Sequence, residues 1–202
     1  KLKTDYVDLM LLHQPFSDYY GAWRALEDLY DEGVIKAIGV SNFYPDRLVD
    51  ICSFSRIAPM VNQVETHPHN QQTEAQKWME KYGVQIEAWA PFGEGRGGLF
   101  TDQTIAAIGK KYGKTTAQVI LRWELQRGIV VIPKSTHRER MIENFNVFDF
   151  TLSDEDMATM ASLDKKQSSF FAHTDPAMVE WFVGMIEQRR NNTDHTKEKK
   201  NW

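Results

Sequence analysis

Short apolar runs alternate with helix-spaced segments along most of the chain. Residues 7–12 form a near-continuous apolar run broken by Asp8, the pattern of a parallel strand buried on both faces. Apolar positions at Ala22, Trp23, Leu26, Leu29 and Tyr30 follow at helical spacing, with Gly33 placed for a C′ position. Residues 34–40, 60–64 and 84–89 read as further strands, and 129–132 as another, between Gly128 and Pro133. Helices are expected after Pro45, over 73–82 closed by Gly83, over 101–112, 116–126, 139–147 and 157–163, and after Asp175-Pro176. Thr115 with Gln118, and Ser153 with Asp156, fit helix N-terminal caps. The glycine-rich segment 93–98 reads as a flexible loop; its G-x-G lacks the strand–GxGxxG–helix setting of a dinucleotide fingerprint.

Strand and helix alternate at intervals of roughly 25 residues, which calls for a parallel α/β fold. About five strands are visible, against the eight that close a (β/α)8 barrel. A doubly wound open sheet is the alternative. His13, Ser41, Asn42, Gln63, Glu65, Trp89 and Lys134 all fall at or just past strand C-termini. Barrel enzymes draw site residues from many strand ends, whereas an open sheet gathers them at one switch point. The expectation is therefore a TIM barrel lacking its first strands, over residues 1–190, with a polar disordered tail at 191–202. The chain starts at Lys1 and runs almost at once into a strand, so it reads as the later part of something longer. On that view residues 1–202 alone leave two sheet edges open and make a poorly behaved monomer.

Composition narrows the partners. A 42% hydrophobic content supports a core, and a net charge of −4 fits neither nucleic acid nor an anionic membrane. No apolar run nears the roughly 20 residues of a membrane span. Cys52, the single cysteine, fits a buried structural thiol in a reducing, cytoplasmic setting. His67 and His69 lack Cys or acidic partners at ligand spacing, so no metal site is expected and His67-Pro68 reads as a turn.

Residues 129–144, IVVIPKSTHRERMIEN, hold the densest chemistry. A strand end, hydroxyls, three cations and a helix N-terminus gather there. That combination suits a phosphate, although a solvated basic loop has the same composition.

The pattern I-P-K-S, four residues, R, two residues, E-N resembles the C-terminal signature of the aldo-keto reductases. D-Y-V-D-L-M-L-L-H-Q-P (residues 5–15), K-A-I-G-V-S-N-F (36–43) and V-N-Q-V-E-T-H-P (61–68) resemble further segments of that family in the same order, and W-A-P with the glycine loop is similar to its bacterial diketogluconate-reductase branch. The resemblance implies an NADPH-dependent reductase that turns an aldehyde or ketone into an alcohol. It places Lys134, Ser135, Thr136 and Arg140 on the adenosine 2′-phosphate, and Glu143 and Asn144 on the adenine. Ser41, Asn42 and Gln63 are implied to bind the nicotinamide carboxamide, with Glu65 supporting that network. Trp89 takes the place of an aromatic residue, commonly tyrosine, stacked on the nicotinamide. Phe92 and Gly93 line the pyrophosphate path, and His13 contacts the substrate carbonyl.

On position alone the same residues read differently. His13 is a strand-end histidine bonded to backbone, Ser41, Asn42 and Gln63 are turn or cap residues, and Trp89 is core. Gln14 stands where the family often has tryptophan, which leaves the substrate open, and residues 170–173 with the last helix match the family's variable C-terminal loop. The family's catalytic aspartate, tyrosine and lysine lie upstream of the histidine strand, so His13 is the one tetrad member matched here. A nucleotide-binding module without catalysis is the alternative function. A complete chain is expected to be a monomer.

Overall fold

The computed structural model describes residues 3–198, with side chains to residue 190. The chain divides into two units, Lys1–Ser169 and Phe170–Trp202. The first alternates strand and helix: β1 (Met10–Leu12), α1 (Tyr19–Asp31), β2 (Ile38–Ser41), α2 (Pro45–Phe54), β3 (Val61–Glu65), α3 (Thr73–Tyr82) and β4 (Gln85–Trp89). A run of 3-10 turns over Gly93–Thr101 leads to α4 (Gln103–Tyr112) and α5 (Thr116–Gln126), then β5 (Val130–Val131), α6 (Arg138–Phe145) and α7 (Asp154–Ala161).

The five strands are all parallel and lie in sequence order, β1-β2-β3-β4-β5. An order that never reverses has no switch point, so this is the successive winding of a (β/α)8 barrel, seen over five of its strands. β1 and β5 each pair with one strand among the described residues, and Met10, Val130 and Ile132 are 46%, 41% and 49% exposed along those edges.

Local chemistry accounts for most element boundaries. Thr115 and Gln118 make both halves of a capping box at α5, and the Ser153 hydroxyl accepts from the Asp156 N–H at α7. Gly83 ends α3 in the left-handed region, and Pro45 opens α2. The outer strands are shorter than the apolar runs that encode them. Val7 makes only an isolated bridge with Ile35, and β5 reduces to two residues because it has a single neighbour and Pro133 follows it. Residues 93–98, expected as a flexible loop, fold into successive tight turns with φ positive at Gly93, Glu94, Gly95, Gly97 and Gly98.

One core lies between the sheet and helices α1 to α3, with Trp23, Ile38, Val40, Leu48, Ile51 and Val64 fully buried. Gly39 is required there: a Cβ would sit 2.6 Å from the Val61 carbonyl oxygen and 2.7 Å from Leu11 Cδ2. A second cluster joins Leu99, Ile105, Val119, Ile120, Trp123 and Met160 across α4, α5 and α7. The C-terminal unit is built on α8 (Pro176–Glu198), and there Phe171 meets His173 and Phe182 at ring-centroid distances of 4.7 and 5.5 Å. The tail expected at 191–202 thus overlaps the helical backbone of 191–198, and residues 199–202 lie outside the described residues. Among the described residues no helix is long and apolar enough to cross a membrane.

Glu124 is an anomaly within α5. It is fully buried, and neither carboxylate oxygen accepts a hydrogen bond from the described residues. Burial pushes its carboxyl well above the usual glutamate range, while Arg127 pulls weakly the other way. A folded-state pKa raised above the unfolded one contributes stability that is complete below the unfolded value and is lost as pH rises through the folded value. Glu124→Gln is therefore expected to be near neutral around pH 4 and to stabilise by roughly 1–3 kcal/mol at alkaline pH. Urea midpoints measured across that range check it; a pH-independent difference would show that Glu124 does not titrate with folding.

Candidate functional site

Four strand exits meet at one rim. His13 follows β1, and its ring is exposed and makes no hydrogen bond to the described residues. Only its backbone is tied down: the Asn42 amide nitrogen donates to the His13 carbonyl oxygen at 3.1 Å. The reading of His13 as a strand-end residue held by its ring is therefore not what the geometry gives.

Ser41 ends β2 and is buried, with its hydroxyl donating to the Gln63 carbonyl at 2.8 Å. Asn42 follows with φ at 63°, a left-handed conformation that asparagine tolerates better than most residues. Its N–H donates to the same Gln63 carbonyl at 2.9 Å, and its Nδ2 also donates to Ser41 Oγ at 3.1 Å. Trp89, half-buried at the end of β4, donates its indole N–H to Asn42 Oδ1 at 2.9 Å. Gln63 Nε2 donates to Glu87 Oε1 at 2.5 Å, across the β3–β4 register that pairs these two residues.

Counting donors and acceptors shows what this rim has left to offer. Both Asn42 Nδ2 hydrogens are used, but Oδ1 keeps one lone pair, and Ser41 Oγ keeps another. Gln63 Nε2 keeps one hydrogen. Two acceptors and one donor therefore remain uncommitted on Ser41, Asn42 and Gln63.

Glu65 departs from expectation. It does not join the Ser41–Asn42–Gln63 network, because it sits two residues further along β3, where the chain after α7 crosses. There it accepts from His67 Nε2 at 2.8 Å, Ser168 Oγ at 2.5 Å and the Ser169 N–H at 2.7 Å. The His69 N–H donates to His67 Nδ1 at 3.3 Å, which leaves the His67 proton on Nε2, facing Glu65. Burial pushes the Glu65 carboxyl up, and the bonds from His67, Ser168 and Ser169 outweigh it, so its pKa is lowered overall. Beside it Tyr44 is pushed up to about 12, by burial first and by the Glu65 charge second. The residue that does support Gln63 is Glu87, which the sequence reading passed over. Its signal was a lone carboxylate within the buried strand QIEAW. Among the described residues no group of three or more His, Cys, Asp or Glu is placed to hold a metal ion.

A second part of the site lies beyond β5. A cavity of about 360 Å³ is lined by Lys134, Ser135, Arg140, Glu143 and Asn144, with Phe92 and the first turn of α5 on its other walls. Lys134 and Arg140 are exposed, and neither is ion-paired among the described residues. Ser135 shapes the turn into α6 by accepting the His137 N–H at 3.1 Å. Glu143 Oε1 accepts from Thr115 Oγ1 at 2.6 Å, and Gln118 Nε2 donates to the Glu143 carbonyl at 3.1 Å, so α6 is fastened to α5. Thr136 is exposed on the same turn but does not line the cavity, and Gly93 is buried beside Phe92 with φ at 57°. The part played by Thr115, Thr116 and Ala117 as a wall was not legible in sequence, where Thr115 read only as a cap.

Comparison with known proteins bears on this arrangement. A sequence model described as the aldo/keto reductase family matches residues 1–165. Glyoxal reductase of Bacillus subtilis (strain 168) is 47% identical over 168 residues, which cover 83% of this chain and 60% of that protein. An aldo-keto reductase from a Medee basin deep-sea metagenome library superposes with a TM-score of 0.82 at 43% identity, over 86% of this chain and 65% of the other. A silkworm (Bombyx mori) aldo-keto reductase complexed with NADPH gives a TM-score of 0.78 at 35% identity, over 83% and 57%. The chain spans about 60% of the length of the curated relatives it matches.

Proposed function

The chain belongs to the aldo/keto reductase family, and we propose that its rim and cavity bind NADPH for the reduction of an aldehyde or ketone to an alcohol. The observation that carries this reading is the cavity beyond β5, lined by two cations that no described residue neutralises. A 2′-phosphate is the group that distinguishes NADPH from NADH, and a pair of free cations beside a serine hydroxyl suits it. Lys134, Ser135 and Arg140, which line the cavity, would hold that phosphate, with Thr136 reaching it from the same exposed turn outside the lining, and Glu143 and Asn144 would hold the adenine. Phe92 and Gly93 would line the path of the pyrophosphate. The residual acceptors on Ser41 and Asn42 and the residual donor on Gln63 fit the carboxamide, and the Trp89 ring fits the nicotinamide face. The bound cofactor supplies the hydride. His13 has an unbonded imidazole at the same rim and would donate to the substrate carbonyl oxygen, orienting it and stabilising the charge that develops there. None of the described residues is assigned as the acid that protonates the resulting alkoxide. A small α-dicarbonyl such as glyoxal, after which the Bacillus subtilis relative is named, is the first substrate to try.

Cofactor titration tests this. NADPH is expected to bind more tightly than NADH, and Arg140→Ala to weaken NADPH binding by about 1.5–3 kcal/mol, with little effect on NADH. Equal affinities of the wild type for the two cofactors would remove the basis of the proposal.

A further inference from the structure

Asn42 touches three strands besides its own. Its backbone N–H bonds β3 at Gln63, its Nδ2 bonds the exit of β1 at His13, and its Oδ1 receives the indole of Trp89 from β4. β1 and β4 are not neighbours in the sheet; β2 and β3 lie between them. At about 4.8 Å per strand a flat sheet would hold them about 14 Å apart. The side chains span the curved rim instead.

The orientation of the Asn42 amide follows from its partners. An indole N–H can only donate, so the atom facing it is the oxygen. A backbone carbonyl can only accept, so the atom facing His13 is the nitrogen. Each bond therefore fixes the amide for the other. Asn42 is 3% exposed, which leaves water little chance to substitute for either partner. An aromatic residue without a ring donor at position 89 would keep a stacking face but leave the amide held from one end only.

We propose that Trp89 is a positioning residue for His13: its indole N–H, acting through the Asn42 amide, fixes the end of β1 that carries the imidazole. This rests on the nicotinamide and carbonyl roles assigned above to Trp89 and His13. It adds that the two are one mechanical unit, so that the ring set on the cofactor and the ring set on the substrate keep their spacing.

Trp89→Phe keeps the aromatic face and removes the donor. In protein with 15N-labelled asparagine side chains, the Asn42 amide signal is assigned by its loss in Asn42→Asp. Trp89→Phe is expected to speed hydrogen exchange of that amide by roughly tenfold or more and to shift the His13 ring resonances. Asn42→Asp, which removes the donor to His13, is expected to move the same His13 resonances. In the intact protein Trp89→Phe is expected to leave the NADPH Kd within about threefold while kcat falls about tenfold, and to cause no further loss of kcat when added to Asn42→Ala. Unchanged exchange and unchanged His13 resonances would overturn the proposal. So would additive losses of kcat in the double variant, or a Kd that rises in step with the fall in kcat, which would make Trp89 a stacking surface only. The exchange and resonance measurements need no cofactor, so they judge the bridge even if NADPH fails to bind, an outcome that would defeat the cofactor reading alone.

Discussion

Replacing His13 by alanine is expected to lower kcat/KM for a small carbonyl substrate by about 10²–10³, the usual cost of removing one preorganised donor to a developing oxyanion. The expectation rests on how the residue is held. Its carbonyl is fixed by Asn42, so the backbone position is set, while its imidazole is exposed and bonds no described residue. A ring with no structural bond to lose can be removed without unravelling the strand end. NADPH affinity is therefore expected to stay within a few-fold of wild type, which separates loss of transition-state stabilisation from loss of binding. Steady-state kinetics beside a fluorescence titration make the comparison in the intact protein. A parallel collapse of cofactor affinity and rate would mean that His13 holds the rim together and does not serve the substrate.

The second large effect lies in the core. Trp23 is fully buried between α1 and the sheet, and its indole N–H donates to the Ile57 carbonyl at 3.0 Å. The Ile57 N–H in turn donates to Glu27 Oε1 at 2.7 Å, so one side chain of α1 fills the core and two fasten the loop after α2. Trp23→Ala is expected to cost about 3–5 kcal/mol through lost burial and the cavity left behind. At roughly 2–4 °C per kcal/mol for a chain of this size, Tm falls by about 6–20 °C. Trp23→Phe keeps most of the ring and loses the N–H, so it is expected to cost distinctly less. Calorimetry of both variants provides the check; equal costs would mean that the hydrogen bond, and not the volume, dominates.

Much of the architecture was legible because its determinants are local. The capping box of α5, the Ser153 cap of α7 and the glycine ending α3 each act within a few residues, and each appears where the sequence placed it. The parallel sheet followed from apolar runs at regular intervals, since a strand covered on both faces cannot alternate. The polar residues at strand ends marked the rim for the same reason: an apolar run has to stop where the sheet meets water or a ligand.

Other features depend on partners that no local pattern specifies. Glu65 and Glu87 are both carboxylates on neighbouring strands, yet one clamps Ser168 and Ser169 from 103 and 104 residues away and the other supports Gln63. Their roles were decided by which chain segment crosses each strand at that height. Glu124, on a helix with a polar surface elsewhere, became buried only because α5 is enclosed along much of its length. The Trp89–Asn42–His13 bridge joins residues up to 76 positions apart in sequence, on strands that are not adjacent in the sheet. Sequence by itself determined most of the strands and helices and which side chains stand at the rim, because propensity, capping and the spacing of apolar positions are set by near neighbours. Tertiary structure decided which of those side chains remain free to meet a ligand, because a hydrogen-bonding group is committed only when the closing sheet brings its partner within about 3 Å.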